Sequence, residues 1–276
     1  MDSNAKRLLF LCVSCAYAVI RWAYRRLIRL HGTEPARPPV VLMYHGVSRS
    51  DAAGFERQMS ELKTHATLVF ADESLPSNGR QKVAVTFDDA FMSVFEHAIP
   101  VMTALGVPAT IFVPTGYLGA EPGWIPATAR TKDWPGQVAS AEVLRACDPR
   151  QIRIASHSVT HPHLAEVDGR VLRDELVLSR QALERMTSAP IEMLSLPYGS
   201  CSTRVLSEAA ASGYKRVFAN IPVGRGPDDH IVIGRISVSP RDWMIEFRLK
   251  TVAAYDWLAI AIRTKRTLYG FFGRLR

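Results

Sequence analysis

Between residues 40 and 238, short apolar runs rich in β-branched residues alternate with helical stretches, and this alternation restricts the fold more than any other feature of the chain. The runs are VVLMYHGV (40–47), KVAVTFDD (82–89), PATIFVPT (108–115), IRIAS (152–156), IEMLSLPYG (191–199), KRVFAN (215–220) and IVIGRISV (231–238). Between them, Phe55, Met59 and Leu62 recur at helical spacing. Phe91, Val94, Phe95, Ala98 and Met102 do the same after the second run, and further helices are predicted over 164–187 and 202–212. Strands that alternate with helices imply a parallel sheet or barrel, and such folds place their chemistry at the C-terminal ends of the strands. The stretch 116–150, with Gly119, Pro122, Gly123, Pro126, Pro135 and Gly136, interrupts the pattern and reads as a loop-rich insertion over a site.

A chain of 276 residues with 47% apolar composition can bury one large core, so a single α/β body is expected. Its four cysteines are too few and too scattered for a disulfide framework. The net charge of +8 is unevenly spread: residues 1–38 carry +5, residues 248–276 carry +6, and the body between them carries −3. A mildly acidic body between basic ends argues against a nucleic-acid groove and points to an anionic membrane surface contacted by the termini.

Leu8 to Ile20 is a run of 13 apolar or small residues, short of the ~20 needed to span a bilayer as a helix. Arg21, Arg25 and Arg29 follow at intervals of four, on one helical face, as in an interfacial amphipathic segment. A solvated basic tail at each end is the plainer alternative. TEPARPP (33–39) reads as a linker. The expected organisation is a membrane-seeking segment and linker over 1–38, a folded α/β body over 39–247, and a basic aromatic helix or tail over 248–276. Arginines flanking the apolar run favour the cytoplasmic face.

Three strand ends carry candidate chemistry: Asp88 and Asp89 after VTF, His157 and His161 after IRIAS, and Tyr198 after LSLP. A catalytic zinc takes three protein ligands from Asp, Glu and His and keeps a fourth position for water, and one carboxylate with two imidazoles fits that demand. The H-x-x-x-H spacing alone is a weak signal that fits two structural histidines better than a metal site. Neighbouring strand residues point to opposite sides, so Asp88 and Asp89 share one role only if the chain turns there.

VAVTFDDAFMSVFEHAIPVMTALGVPATIFVPTG, IASHSVTHPHL and LSLPYG, in this order and spacing, resemble the polysaccharide deacetylases, carbohydrate esterase family 4, over roughly residues 40–240. The resemblance implies an irregular (β/α) barrel holding zinc, or another divalent transition metal, through Asp89, His157 and His161. It further implies Asp88 as general base and the Tyr198 amide as oxyanion donor. The implied reaction is hydrolysis of an N-acetyl, or alternatively an O-acetyl, group from a glycan. Many members supply the acid from a histidine near the end of the domain, but here none follows residue 230. The MYH sequence before TFDD is similar to the poly-N-acetylglucosamine deacetylase-like subgroup, which makes His45 the candidate acid, against a buried strand-end histidine as the alternative.

Two positions depart from the family pattern. Ala90 replaces the common Gly of TFDDG. Ser195 stands where many members carry an Arg that orients the catalytic Asp, and Arg235 in IGRISV is the candidate to reach that carboxylate from a neighbouring strand, with an ordinary surface ion pair as the alternative. His163 is read as lying outside the ligand pair. The function expected is deacetylation of an amino-sugar polymer or lipid-linked glycan in envelope or exopolysaccharide synthesis. The rival readings are an inactive carbohydrate-binding or assembly protein on the same barrel, and a deacylase of a small sugar substrate.

Overall fold

The computed structural model describes residues 3–32, 37, 39–73, 79–126, 128, 134, 136–220, 231–259, 261, 262 and 264. The linker expected at 33–39 and the basic aromatic run at 263–276 fall almost wholly outside these residues.

The strands are β1 (Val40–Tyr44), β2 (Thr67–Val69), β3 (Lys82–Phe87), β4 (Ala109–Val113), β5 (Ile152–Ser156), β6 (Met193–Ser195), β7 (Arg216–Ala219), β8 (Ile231–Gly234) and β9 (Ile236–Ser237). They form one sheet in the order β8-β7-β6-β5-β4-β3-β1-β9, with β2 alongside the first half of β3, and every pairing is parallel. The two outermost strands, β8 and β9, are consecutive in the chain and separated only by Arg235. The sheet therefore curls into a nearly closed barrel, and one peptide step carries the chain from one of its edges to the other.

The strands alternate with a period of two, as buried strands must. Val41, Ala84, Phe112, Ala155, Met193 and Phe218 form one cluster, the filling of the barrel. Their neighbours Leu42, Val85, Ile111, Leu194 and Val217 belong to a larger cluster shared with the helices outside. Helix α2 (Ala52–His65) buries Phe55, Met59 and Leu62 on that outer layer. The Phe55 ring meets Tyr44 edge-on, with centroids 5.3 Å apart. Full burial of each such side chain contributes ~1.5–3 kcal/mol. Helix α3 (Ile99–Leu105) follows a π-helical turn at Val94–Ala98 and ends on Gly106 at φ 66. Helix α4 (Ala141–Arg145) starts on Ser140, and α5 (Gly169–Thr187) starts on Asp168, whose carboxylate accepts from the Arg170 and Val171 amides. Helix α6 (Thr203–Ala211) is capped by Ser202, and α7 (Met244–Thr251) seats Phe247 in the core. The helix α7 runs on both sides of residue 247.

Before the barrel comes α1 (Ser3–Leu30), which is long and apolar enough by composition to cross a membrane. It packs on α7 and the turns after it. Arg7 pairs with Glu246 at 2.7 Å, and Arg21 donates to the Ala253 carbonyl at 2.6 Å and meets Asp256 at 3.3 Å. The Trp257 indole donates to the buried Ser14 hydroxyl at 2.9 Å, with Phe10 edge-on to its ring. Arg21 thus turns toward the body. All four cysteines are free thiols.

Candidate metal and acid-base site

The inward register of the barrel continues past the strand ends and decides which side chains meet. On β3, Ala84 faces inward, so Thr86 and Asp88 do too. The same parity brings in His157 after Ala155, Ser195 after Met193, and Arg235 two residues beyond Ile233. These side chains converge at one mouth of the barrel. Asp89 would face away if the strand ran on, but the chain turns: Asp89 has φ 70 and Ala90 φ 50, both left-handed. The turn swings the Asp89 carboxylate back toward the histidines, so both aspartates enter the site at different places.

Asp89, His157 and His161 offer one ligand atom each, all within 4.8 Å of one another and all buried. The Asp89 Oδ1 atom lies 3.3 Å from His161 Nε2 and 3.5 Å from His157 Nε2. The His157 Nδ1 lies 2.8 Å from the Ser195 carbonyl, so it must carry the proton there and leave the Nε2 lone pair facing the carboxylate. Burial drives His157 down to about 4, against the pull of Asp88 and Asp89. Asp89 Oδ1 receives no hydrogen bond. A buried carboxylate oxygen facing an imidazole lone pair is an arrangement that a cation between them relieves. Separations of 3.3–3.5 Å also suit donors bound at about 2.0–2.2 Å around one tetrahedral ion. One oxygen and two nitrogens form a donor set fit for zinc or a neighbouring transition metal.

The loop bearing the histidines is held from behind. Glu175 on α5, nearly inaccessible, accepts hydrogen bonds from the Val159 and Thr160 amides and from the Thr160 hydroxyl. Ser158 and His161 adopt left-handed φ values of 66 and 61, and the His161 amide donates to Ser158 Oγ. His161 is further clamped by rings: Trp124 stacks on it at 4.3 Å, and Tyr198 meets it edge-on at 4.6 Å. His163 stands apart from the ligand atoms and stacks on Tyr198 at 4.0 Å.

Asp88 sits beside this cluster, with Oδ2 4.0 Å from His157 Nε2. The Arg235 guanidinium grips it with both nitrogens, Nη1 to Oδ1 and Nη2 to Oδ2, each at 2.6 Å. Ser195 Oγ donates to Asp88 Oδ2 at 3.2 Å and accepts from Arg235 Nη2 at 2.8 Å. Arg235 is 1% exposed, so the pair is buried. Burial works to raise the Asp88 carboxyl, but Arg235, with His157 and His45 adding to it, holds it well below the usual carboxylate range. Asp88 is therefore an ionised carboxylate with fixed orientation. His45 is exposed at the end of β1, close enough to act electrostatically on Asp88. Tyr198, 47% exposed, lies in the Pro197–Gly199 turn at φ 57. The Gly199 and Ser200 amides donate to Leu196 and Pro197, whereas the Tyr198 amide leads the turn and has no carbonyl within it to meet.

Residues 76–217 match the model of the polysaccharide deacetylase family, which is half of the chain. The chain belongs to the polysaccharide deacetylase family. The chain is 24% identical over 222 residues to the Bacillus subtilis (strain 168) protein YxkH, covering 75% of this chain and 73% of the relative. It is 25% identical over 170 residues to a chitooligosaccharide deacetylase of Bradyrhizobium sp. (strain ANU 289), covering 60% of each. Its fold is similar to the Streptococcus pyogenes deacetylase PplD solved with acetate, at TM-score 0.62 and 19% identity over 80% of this chain and 99% of the other. It is likewise similar to IcaB from Ammonifex degensii, at TM-score 0.61 and 22% identity over 80% and 97%. The barrel is that of the family.

Two contributors carried no usable sequence signal. Glu175 lies in the middle of an amphipathic helix, where an acid ordinarily faces water. Ser195 was visible only as a missing arginine. Trp124 was better signposted, as an aromatic residue inside a Pro- and Gly-rich insertion.

Proposed function

We propose that this polysaccharide deacetylase is a metal-dependent hydrolase that removes N-acetyl groups from an amino-sugar polymer or a lipid-linked glycan in envelope or exopolysaccharide synthesis. The observation that carries the reading is the pairing of a ligand trio with a second, ionised carboxylate. A binding protein has no need of Asp88 held as a spare base 4.0 Å from a candidate ligand. Asp89, His157 and His161 would hold the metal, zinc by donor type. When bound, it supplies a Lewis acid that polarises the acetyl carbonyl and makes water acidic enough to attack at neutral pH.

The protein's own groups do the rest. Asp88 accepts the proton of the attacking water, and Arg235 positions its carboxylate and keeps it ionised until then. The amide of Tyr198 donates to the oxygen that becomes negative as the carbonyl carbon turns tetrahedral. An amine leaves poorly unless protonated, and His45 at the solvent edge supplies that proton. The body works at a membrane, reached through the basic N-terminal helix. The positive flank favours the cytoplasmic leaflet, whose anionic lipids attract it.

The test is acetate release from N-acetylglucosamine oligomers and lipid-linked sugars, with and without chelator. Release that chelation abolishes and zinc restores is expected. Chelator-insensitive release would sink the metal mechanism, and no release from any substrate would favour the binding-protein reading.

The role of His45 has its own measurement. His45→Gln is expected to lower kcat on N-acetyl substrates by ~10²–10⁴-fold, yet to leave hydrolysis of 4-nitrophenyl acetate almost unchanged, because nitrophenolate departs without a proton. Equal losses on amide and activated ester would show that His45 is not the acid.

A further inference from the structure

We infer that α1 lies flat in one leaflet of a bilayer with its outward apolar face in the lipid, while its inward face stays strapped to the body, rather than crossing the membrane. This rests on the membrane reading above and fixes the geometry of that contact.

The helix has two faces with different duties. Arg7, Phe10, Ser14 and Arg21 share the inward face, at spacings of three, four and seven, and each meets the segment 243–257. The opposite face presents Leu9, Val19, Ile20, Leu27 and Leu30, between 51% and 81% exposed, with Ala16 and Ala23 between them. Nothing in the described fold covers it, and no charge falls on it between Leu8 and Ile20.

The occupant that fits is lipid. The outward face is flanked by Trp22, Tyr24 and Arg26, all exposed, with the Arg26 guanidinium 5.6 Å from the Trp22 ring centroid. Amphipathic rings and snorkelling cations beside an apolar stripe suit the headgroup boundary of an anionic leaflet. A second copy of the chain would bring basic N-terminal segments of equal sign together.

Crossing the bilayer is disfavoured not by the length of α1 but by where its charges lie and what they pair with. The charge-free run of 13 residues is about 20 Å of helix against a hydrocarbon core of about 30 Å. A spanning position would draw Arg7 or Arg21 into hydrocarbon and away from Glu246 or Asp256. Lying flat, the helix keeps every inward contact.

The full chain carrying an N-terminal epitope is mixed with phosphatidylglycerol/phosphatidylcholine vesicles. Flotation is expected, with both epitope and body open to protease added outside. Cys12, exposed on the outward face, should react with a water-soluble maleimide ~10-fold more slowly once vesicles are present. Leu9→Glu/Val19→Glu/Leu27→Glu should abolish flotation without altering acetate release from soluble oligomers. Flotation with a protected epitope would overturn the flat orientation while leaving the membrane reading intact. No flotation would overturn both. Cys12 shielded before vesicles are added, with a dimeric mass in sedimentation, would assign the face to a second copy instead.

Discussion

Arg235→Met is expected to lower unfolding free energy by ~3–5 kcal/mol, the usual consequence of stranding one partner of a buried ion pair. It is also expected to lower kcat for acetate release by ~10²–10⁴-fold, the range that a positioned base contributes. Asp88 in the wild type has a carboxyl held below its ordinary value. The stability it lends is therefore fully present above the ordinary carboxylate pKa of about 4 and is lost only as the pH falls through the depressed folded value. Without the guanidinium, burial, the largest influence on Asp88, is expected to outweigh the remaining pull of His157 and His45 and raise its pKa. The sign then reverses: the variant is most stable when Asp88 is protonated and loses stability as the pH rises through the elevated value. The gap between wild type and variant should narrow from pH 7 toward pH 4.5 in urea titrations run with chelator. Asp88→Asn/Arg235→Met should regain most of the stability and none of the activity. If Arg235→Met kept wild-type kcat, Arg235 would have no part in positioning the base.

Asp89→Asn is expected to act with opposite signs on two measurements. Metal affinity, read by competition with a chromophoric chelator, should fall by at least ~100-fold, since loss of an anionic ligand exceeds the 10–100-fold typical of supporting residues. Stability of the metal-free protein should hold or rise, because Asp89 Oδ1 accepts no hydrogen bond and an unsatisfied buried group costs ~1–3 kcal/mol. His161→Ala should lower metal affinity as well, and here the Trp124 ring loses its stacking partner. A structural ion pair between Asp89 and a protonated histidine predicts the reverse for Asp89→Asn: a destabilised apoprotein and unchanged metal content.

The parallel barrel was legible in the sequence because its strands are short apolar runs with turn residues between them. The mouth where the polar side chains meet was legible because those runs end in TFDD, SHS and SLPYG. The relation of Asp88 to Asp89 was not, since period-two reasoning sends them apart. Only a left-handed turn, adopted here with Ala90 instead of glycine, brings both to one site. Arg235 lies 40 residues from Ser195, and nothing local to IGRISV says that it closes the ring. Its meeting with Asp88 depends on β8 and β9 standing at opposite ends of the strand order. The four-residue arginine spacing in α1 correctly put those residues on one helical face. That Arg21 turns toward the body depends on Ala253 and Asp256, more than two hundred residues further on.

The one-residue joint at Arg235 also has a consequence during synthesis. Strands β1 to β7 leave the ribosome before residue 235 does. Until then Asp88 has no guanidinium, and its carboxylate resists burial. The nascent chain can assemble most of the barrel wall, but the Asp88 carboxylate is oriented only when the final strands shut the ring. With Asp88 as the proposed base, hydrolytic competence would be tied to the last topological step, and chains terminated before residue 235 should accumulate as expanded, inactive intermediates.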